Sequence, residues 1–447
     1  MRNGFLIVGD IIALYAALFL TLIIRYGGLY TQYTTLHAIP FTIIFVLWIF
    51  VLYIAGAYDL HGTKNDISFY RALLIAVGVN LGLTIAFFYL SPSFGITPRA
   101  NLALFSIIVA VLMVGWRAAF NTLVARTTTN ATLIVGNNPQ SQELYDYLLS
   151  NPQLGYRALG IIDITNESAR DALAKVASFG KVKTVILSRE ALSLPQITNE
   201  LYALLRYRIT FYLLSDFYEN ITGKVPLGTI DQAWFLENLS EGSKRRFDTS
   251  KRALDAVFSV IGLAITLPFY PLIALAIKLD SRGPVFIKQK RVGKAGVEFY
   301  LYKFRNMFSN SPDGSAEGAS GPQWAIEDDP RVTRVGKIIR KTRLDEIPQF
   351  WNILKGEMSF VGPRPERPEF HAQLKEKIPF YEERSLTKPG LTGWAQIKYM
   401  LDFRVKMTVD HTIEKLKYDL YYIKHRSFLL DISIILKTLK IVVGKVV

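Results

Sequence analysis

Two adjacent carboxylates, Asp345 and Glu346, carry the clearest chemical potential in the sequence. They lie in the stretch 338–356, where Arg340, Lys341 and Arg343 crowd them. Pro348 lacks an N–H and fits the first turn of a helix. That spacing predicts Asp345 at or next to the N-cap, with Gly356 as the C-terminal stop and Lys355 in the last turn. Neighbouring side chains on a helix diverge by about 100°. One carboxylate can therefore attack phosphorus while the other binds a divalent cation. Carboxylate nucleophiles that form acyl phosphates are an established class. Mg²⁺ is commonly held by one or two carboxylates plus phosphate oxygens. The nearby cations suit a transferring phosphoryl group, and Gly362-Pro-Arg-Pro365 is a stiff turn that would hold Arg364 in place. Taken alone, the pair is weak evidence, and a capped, solvated helix start is the better reading of it. The cations and an upstream membrane segment favour chemistry.

That upstream segment is an apolar run, 253–279, preceded by Lys244-Arg-Arg246 and Lys251-Arg252. Pro268 and Pro271 stand near its middle, where each removes a helix hydrogen bond. Lys278, Arg282, Lys288, Lys290 and Arg291 follow it. A crossing helix would carry this second basic cluster outward, against the positive-inside rule. A helix–break–helix that enters and leaves by the cytoplasmic face satisfies both facts. The competing arrangement is a proline-kinked crossing span. After this run, 285–291 and 299–305 read as strands bearing cations, and 314–321 as a mobile loop. The stretch 414–439 suits either amphipathic helices in the headgroup region or packing on the catalytic core.

Further upstream, apolar runs at about 5–25, 39–57, 70–91 and 101–118 each approach the ~20 residues that span a bilayer core. The first is too long for a signal-peptide core and lacks a small-residue cleavage site, so it reads as a retained span. Arg2, Lys64, Arg71, Arg117 and Arg126 would lie on one side, against Arg25 and Arg99 on the other. This places both ends of the four-helix unit in the cytoplasm. Between the membrane parts, short strands at 132–135, 158–162, 184–187 and 209–214 alternate with helical stretches, which predicts a small parallel α/β domain. Gly136 follows the first strand, but Asn138 and Gln140 stand where a dinucleotide fingerprint would have glycines. A structural or regulatory role is therefore preferred there over nucleotide binding. The 447 residues are 50% hydrophobic and carry a net charge of +15, which suits an anionic partner: lipid headgroups, nucleic acid or phosphorylated small molecules. Without cysteine, disulfides, thiol catalysis and cysteine-bound metal are excluded. The five histidines show no HExxH spacing.

Several motifs follow one another in a familiar order: Lys303-Phe-Arg-Asn-Met307, Thr342-Arg-Leu-Asp-Glu-Ile-Pro-Gln349, Leu354-Lys-Gly-Glu-Met-Ser-Phe-Val-Gly-Pro-Arg-Pro365 and Pro389-Gly-Leu-Thr-Gly-Trp-Ala-Gln396. Over about 245–447 the chain resembles the bacterial sugar transferases, the monotopic phosphoglycosyl transferases. Its whole length resembles their large subgroup. The resemblance implies a four-helix transmembrane domain (1–125), a Rossmann-like α/β domain (131–240), and an α/β catalytic domain (245–447) with a re-entrant membrane hairpin at 253–279. It implies Asp345 as a nucleophile that forms a covalent phosphosugar and releases UMP, and Glu346 as a ligand of Mg²⁺. It implies Lys303, Arg340 and Arg364 as phosphate contacts and Pro268 as the break of the hairpin. The implied substrates are a UDP-sugar and a polyprenyl phosphate at the cytoplasmic face of the bacterial inner membrane, with no nucleic acid partner. The product would start an O-antigen, capsule or exopolysaccharide repeat unit, and a homodimer is a plausible assembly. Two departures stand out. Leu267 replaces the Ser that some members have before the proline. Lys398-Tyr-Met-Leu-Asp-Phe-Arg404 replaces an Asn-Gly-Arg-like stretch, which leaves the sugar open. The alternative is a non-catalytic membrane scaffold that binds nucleotide sugars or anionic lipid.

Overall fold

Apolar side chains repeating around a helix leave no polar face for water, and a helix satisfies its own backbone in lipid. Four such helices open the chain: α1 (Arg2–Tyr26), α2 (Tyr30–Ile54), α3 (Ile67–Leu90) and α4 (Arg99–Thr127). The stretches Gly4–Ile54, Phe69–Leu90 and Asn101–Leu123 are long and apolar enough to cross a membrane. α2 begins earlier than its apolar run suggested, because only a tight Gly27–Leu29 turn separates it from α1. Leu14, Trp48, Phe105, Val109 and Met113 are buried between the helices, while Phe5, Ile12, Ile39, Val46 and Ile107 project outward. The computed structural model describes residues 2–58, 67–91, 99–127, 130–166, 182–239, 241–311, 316, 329–399 and 408–446. They fall into two compact units that divide after Leu214.

Arg117 is fully buried on α4, donating to both carboxylate oxygens of Asp10 on α1 (3.1 and 2.5 Å) and to the Ala57 carbonyl (2.6 Å). A charge at such depth persists because it is paired and hydrogen-bonded.

Beyond α4, β1 (Asn130–Val135), β2 (Tyr156–Ile162), β3 (Thr184–Leu187) and β4 (Thr210–Leu213) form one parallel sheet in the order β2-β1-β3-β4. α5 (Pro139–Ser150) follows β1. At the end of β1, Gly136 has φ +110°, and a Cβ there would lie 2.1 Å from Ser188 Oγ. The Ser141 N–H donates to Asn138 (2.8 Å) and the Ala191 N–H to Ser188 (3.2 Å), so both neighbouring helix starts are capped by their own chain.

In the second unit, the Arg245–Thr266 helix runs into a 3-10 turn, Leu267–Phe269, and then the Tyr270–Asp280 helix. Pro268 sits in that turn and Pro271 in the first turn of the second helix, positions that tolerate a missing N–H. Val257, Phe258, Ile261, Ile265, Leu272 and Leu275 are exposed. The other sides of both helices rest on the same α/β core. Arg252 donates to the Ile353 and Leu354 carbonyls (both 2.6 Å), Asp255 accepts from the Phe360 N–H (3.2 Å), and Tyr270 meets Phe304 edge-on at 4.9 Å. The core holds an antiparallel hairpin, β5 (Phe286–Val292) with β6 (Glu298–Phe304), and a parallel pair, β7 (Ser359–Val361) with β8 (Gly390–Thr392).

Two further differences from the sequence reading follow from packing. Residues 215–239 belong with this second unit, not with the parallel sheet. Val225, Ile230 and Trp234 share a core with Leu416, Leu420 and Ile423, and the Trp394 indole donates to the Gly223 carbonyl (2.8 Å). The C-terminal stretch divides its roles. The Val409–His425 helix buries Leu416, Leu420 and Ile423, whereas the Phe428–Val446 helix buries Ile434 and exposes Leu429, Ile432 and Leu439. Apart from Ala316, the glycine-rich stretch 314–321 lies outside the described residues, as do Lys64 and 400–407.

Candidate active site

The Arg334–Lys341 helix ends at Thr342, and Arg343 then turns the chain with a left-handed φ of +60°. Leu344–Glu346 form a single 3-10 turn before the seven-residue Gln349–Lys355 helix. This corrects the expected capping. Pro348 occupies the N-cap and offers no side-chain acceptor, so Asp345 does not cap the helix. Gly356 does end it, in the left-handed region at φ +87°. In a 3-10 turn successive side chains diverge by about 120°. Asp345 accordingly faces Asn306, and Glu346 faces two arginines.

Both carboxylates are buried, Asp345 to 4% exposure and Glu346 to 7%. Asp345 Oδ2 accepts from the Asn306 side-chain amide (2.8 Å). Its Oδ1 is buried and has no hydrogen-bond partner among the described residues. Glu346 Oε1 accepts from Arg364 (2.7 Å) and Arg343 (3.2 Å). Burial, reinforced by the charge of Glu346, holds the Asp345 carboxyl above the usual carboxylate range. Burial would push Glu346 up as well, but Arg364, Arg343 and Lys303 outweigh it and hold Glu346 below that range. Lys303, delivered by β6, is lowered by burial to about 8 despite the pull of Glu346. One carboxylate is thus a firm anion, while the other is held nearer its neutral form and keeps one oxygen without a partner among the described residues.

The structure brings together Asp345, Glu346, Lys303 and Arg364. It leaves Arg340 outside this group. Arg340 is half-buried on the preceding helix, makes no hydrogen bond to either carboxylate, and its charge is felt at Asp329. Pro268 lies in the 3-10 turn between the two apolar helices. Sequence reasoning missed two residues. Asn306 holds the nucleophile candidate. Arg384 donates to the Arg364 carbonyl (2.8 Å), the Asp419 carboxylate (3.0 Å) and the Tyr381 hydroxyl (3.0 Å). No local pattern could join Arg384 to Asp419 across 35 residues. Asn306 at least stood inside a recognised motif.

As a metal site the donor set is small. Among the described residues no cluster of three His, Asp or Glu side chains forms. An adjacent carboxylate pair fits a Mg²⁺ whose remaining ligands are substrate phosphates and water. It does not fit an all-protein cage.

A family model described as bacterial sugar transferase matches residues 246–445, and one described as CoA-binding domain matches 53–197. A UDP-N-acetylgalactosamine-undecaprenyl-phosphate N-acetylgalactosaminephosphotransferase of Aeromonas hydrophila is 41% identical over 52% of this chain and 52% of its own. A UDP-glucose:undecaprenyl-phosphate glucose-1-phosphate transferase of Xanthomonas campestris pv. campestris is 32% identical over 70% of this chain and 66% of its own. An undecaprenyl-phosphate glucose phosphotransferase of Komagataeibacter xylinus is 31% identical over 78% of this chain and 67% of its own. The chain thus spans about half to two thirds of the length of these curated relatives. Their alignments, the matched model and the order of the motifs around Asp345 agree: the chain belongs to the bacterial sugar transferase family.

Proposed function

We propose that this protein transfers a sugar-1-phosphate from a UDP-sugar to undecaprenyl phosphate, through a covalent phosphosugar on Asp345. Oδ1 of Asp345 forms a bond to the sugar-bearing phosphorus as the bond to the bridging oxygen of UMP breaks, and UMP leaves with that electron pair. An oxygen of the polyprenyl phosphate then attacks the same phosphorus, releasing the lipid diphosphate-sugar and restoring the carboxylate. Lys303, Arg343 and Arg364 offset the charge that builds on the phosphoryl oxygens. Glu346, kept ionised by its arginines, would hold Mg²⁺, which supplies charge neutralisation on the diphosphate when bound. The observation that carries this reading is the buried carboxylate of Asp345, one oxygen free, beside a cluster of cations. The relatives' names support the reaction class. They differ in the sugar, so this proposal leaves the donor as a UDP-sugar.

The same reading places the catalytic unit at the cytoplasmic face, with 245–280 as a re-entrant hairpin. Exposed apolar side chains on both helices, the break at Pro268 and the shared α/β core beneath both arms support that topology. The lipid made would begin a surface or secreted polysaccharide.

The deciding experiment incubates the purified protein in nanodiscs with undecaprenyl phosphate, Mg²⁺ and a panel of UDP-sugars. Released nucleotide is followed, and the protein's intact mass is read before the lipid is added. UMP release and a phosphosugar adduct on wild type, with both absent in Asp345→Asn, are expected. UDP release, binding without turnover, or wild-type turnover in Asp345→Asn would overturn the proposal. Binding without turnover would favour the scaffold alternative.

A further inference from the structure

Asn306 occupies a junction. The residue before it, Arg305, is buried, and its guanidinium donates to the Ser281 (2.7 Å) and Arg282 (2.5 Å) carbonyls where the Tyr270–Asp280 helix ends. Gly283, at φ +123°, makes room for it: a Cβ there would lie 1.9 Å from Arg305 Nη1. The Asn306 carbonyl accepts from the Thr333 N–H (3.2 Å), and a Cβ on Gly336 would lie 2.0 Å from that oxygen. The backbone at 306 is therefore pinned from both sides, to the exit of the apolar hairpin and to the start of the Arg334–Lys341 helix. From this fixed point the side-chain amide reaches Asp345 Oδ2 at 2.8 Å, and Oδ1 is left buried without a partner. A carboxylate accepts only, so the amide must present its NH₂.

We propose that Asn306 is a positioning residue for the transfer reaction: it ties Asp345 Oδ2 to the exit of the apolar hairpin and thereby selects Oδ1 as the attacking oxygen. The inference rests on the reading of Asp345 as nucleophile. A neutral donor does this without neutralising the nucleophile, as a cation in its place would. An N–H donor also hydrogen-bonds the ionised form of a carboxylate best. Misplacement of a reacting group by about 1 Å can cost on the order of 100-fold in rate.

The test compares wild type with Asn306→Ala and Asn306→Asp in nanodiscs. Single-turnover adduct formation, steady-state kcat and KM for the UDP-sugar, the pH–rate profile and the thermal midpoint are read for each. The alanine variant should lose about 10- to 100-fold in adduct formation and kcat, with KM within about threefold, and its acid limb should move to higher pH. The isosteric aspartate variant keeps the shape of the site but replaces a donor by a third carboxylate. It should lose more and shift the acid limb further. Adduct formation at the wild-type rate with an unmoved acid limb, in either variant, overturns the proposal. So does an equal loss in kcat and thermal midpoint that leaves the acid limb unmoved in the aspartate variant, because that marks a merely structural role. If wild type itself forms no adduct, the nucleophile reading fails first, which separates the two failures.

Discussion

Arg364 places Nη2 2.7 Å from Glu346 Oε1 across 18 residues of sequence, and its own carbonyl is held at 2.8 Å by Arg384. The anionic half of the carboxylate pair is thus tied to a buried ion pair, Arg384–Asp419, whose side chains are only 6% and 4% exposed.

Replacing Arg384 with lysine keeps the charge but loses the fork that reaches Arg364, Asp419 and Tyr381 together. We predict a loss of about 2–3 kcal/mol in stability, since hydrogen bonds to charged groups contribute about 1.5–3 each. Turnover should fall about tenfold as the Arg364 turn loosens. Thermal unfolding and kcat in nanodiscs check both. An unchanged midpoint would show that the fork is dispensable.

The burial of Asp345 works against stability once its carboxyl ionises. Its folded pKa is raised, so its contribution to stability is fully present below the ordinary carboxylate value and is lost as pH rises through the raised one. At pH 7.5 in EDTA, without substrate, Asp345→Asn should therefore raise stability by about 1–3 kcal/mol, the cost of an unsatisfied buried group. Differential scanning fluorimetry measures this, and a lower midpoint would contradict it.

The same shift predicts an acid limb of kcat near pH 6, well above the usual aspartate value of about 3.9. In the proposed mechanism only the ionised carboxylate attacks, so activity should fall as pH drops through that limb. A profile flat down to pH 5 would argue that Asp345 is not raised in the working enzyme.

In the apolar bundle, Asp10→Leu would leave Arg117 charged and buried. Breaking such a pair from one side costs about 3–5 kcal/mol. The double replacement Asp10→Leu with Arg117→Met should recover most of it. Unfolding in detergent across this double-mutant cycle gives the coupling, and additive losses would disprove it.

Gly362 and Gly160 offer a contrast. A Cβ on Gly362 would sit 2.3 Å from the Lys388 carbonyl, in backbone that cannot swing aside, whereas one on Gly160 meets nothing within 4 Å. Gly362→Ala should lower stability by about 1–3 kcal/mol or more, while Gly160→Ala leaves it nearly unchanged. Equal midpoints for the two variants would be inconsistent with this packing.

Much of the architecture was legible in the chain. The apolar runs marked the long helices, though not the early start of α2, because Tyr30 to Ala38 are not uniformly apolar. Short buried runs marked β1 and β3, where all or nearly all residues are inside. The motif order marked Asp345, Glu346, Lys303 and Arg364. The pairing of Arg117 with Asp10 was not legible, because a lone arginine at the end of an apolar run looks the same whether it meets headgroups or a carboxylate 107 positions away. The capping role given to Asp345 failed because Pro348 allows a helix start but does not require the preceding turn to be helical in the same way.

By itself the sequence determined which segments seek lipid, which alternate as strand and helix, and which carry carboxylates and cations, since these depend on local periodicity and side-chain chemistry. Only the tertiary structure decided that Asn306 rather than a helix end holds Asp345, that Arg364 rather than Arg340 joins Glu346, and that residues 215–239 complete the second unit. Those choices depend on hydrogen bonds and packing between residues tens to hundreds of positions apart, and no local pattern encodes which distant partner a buried polar group will find.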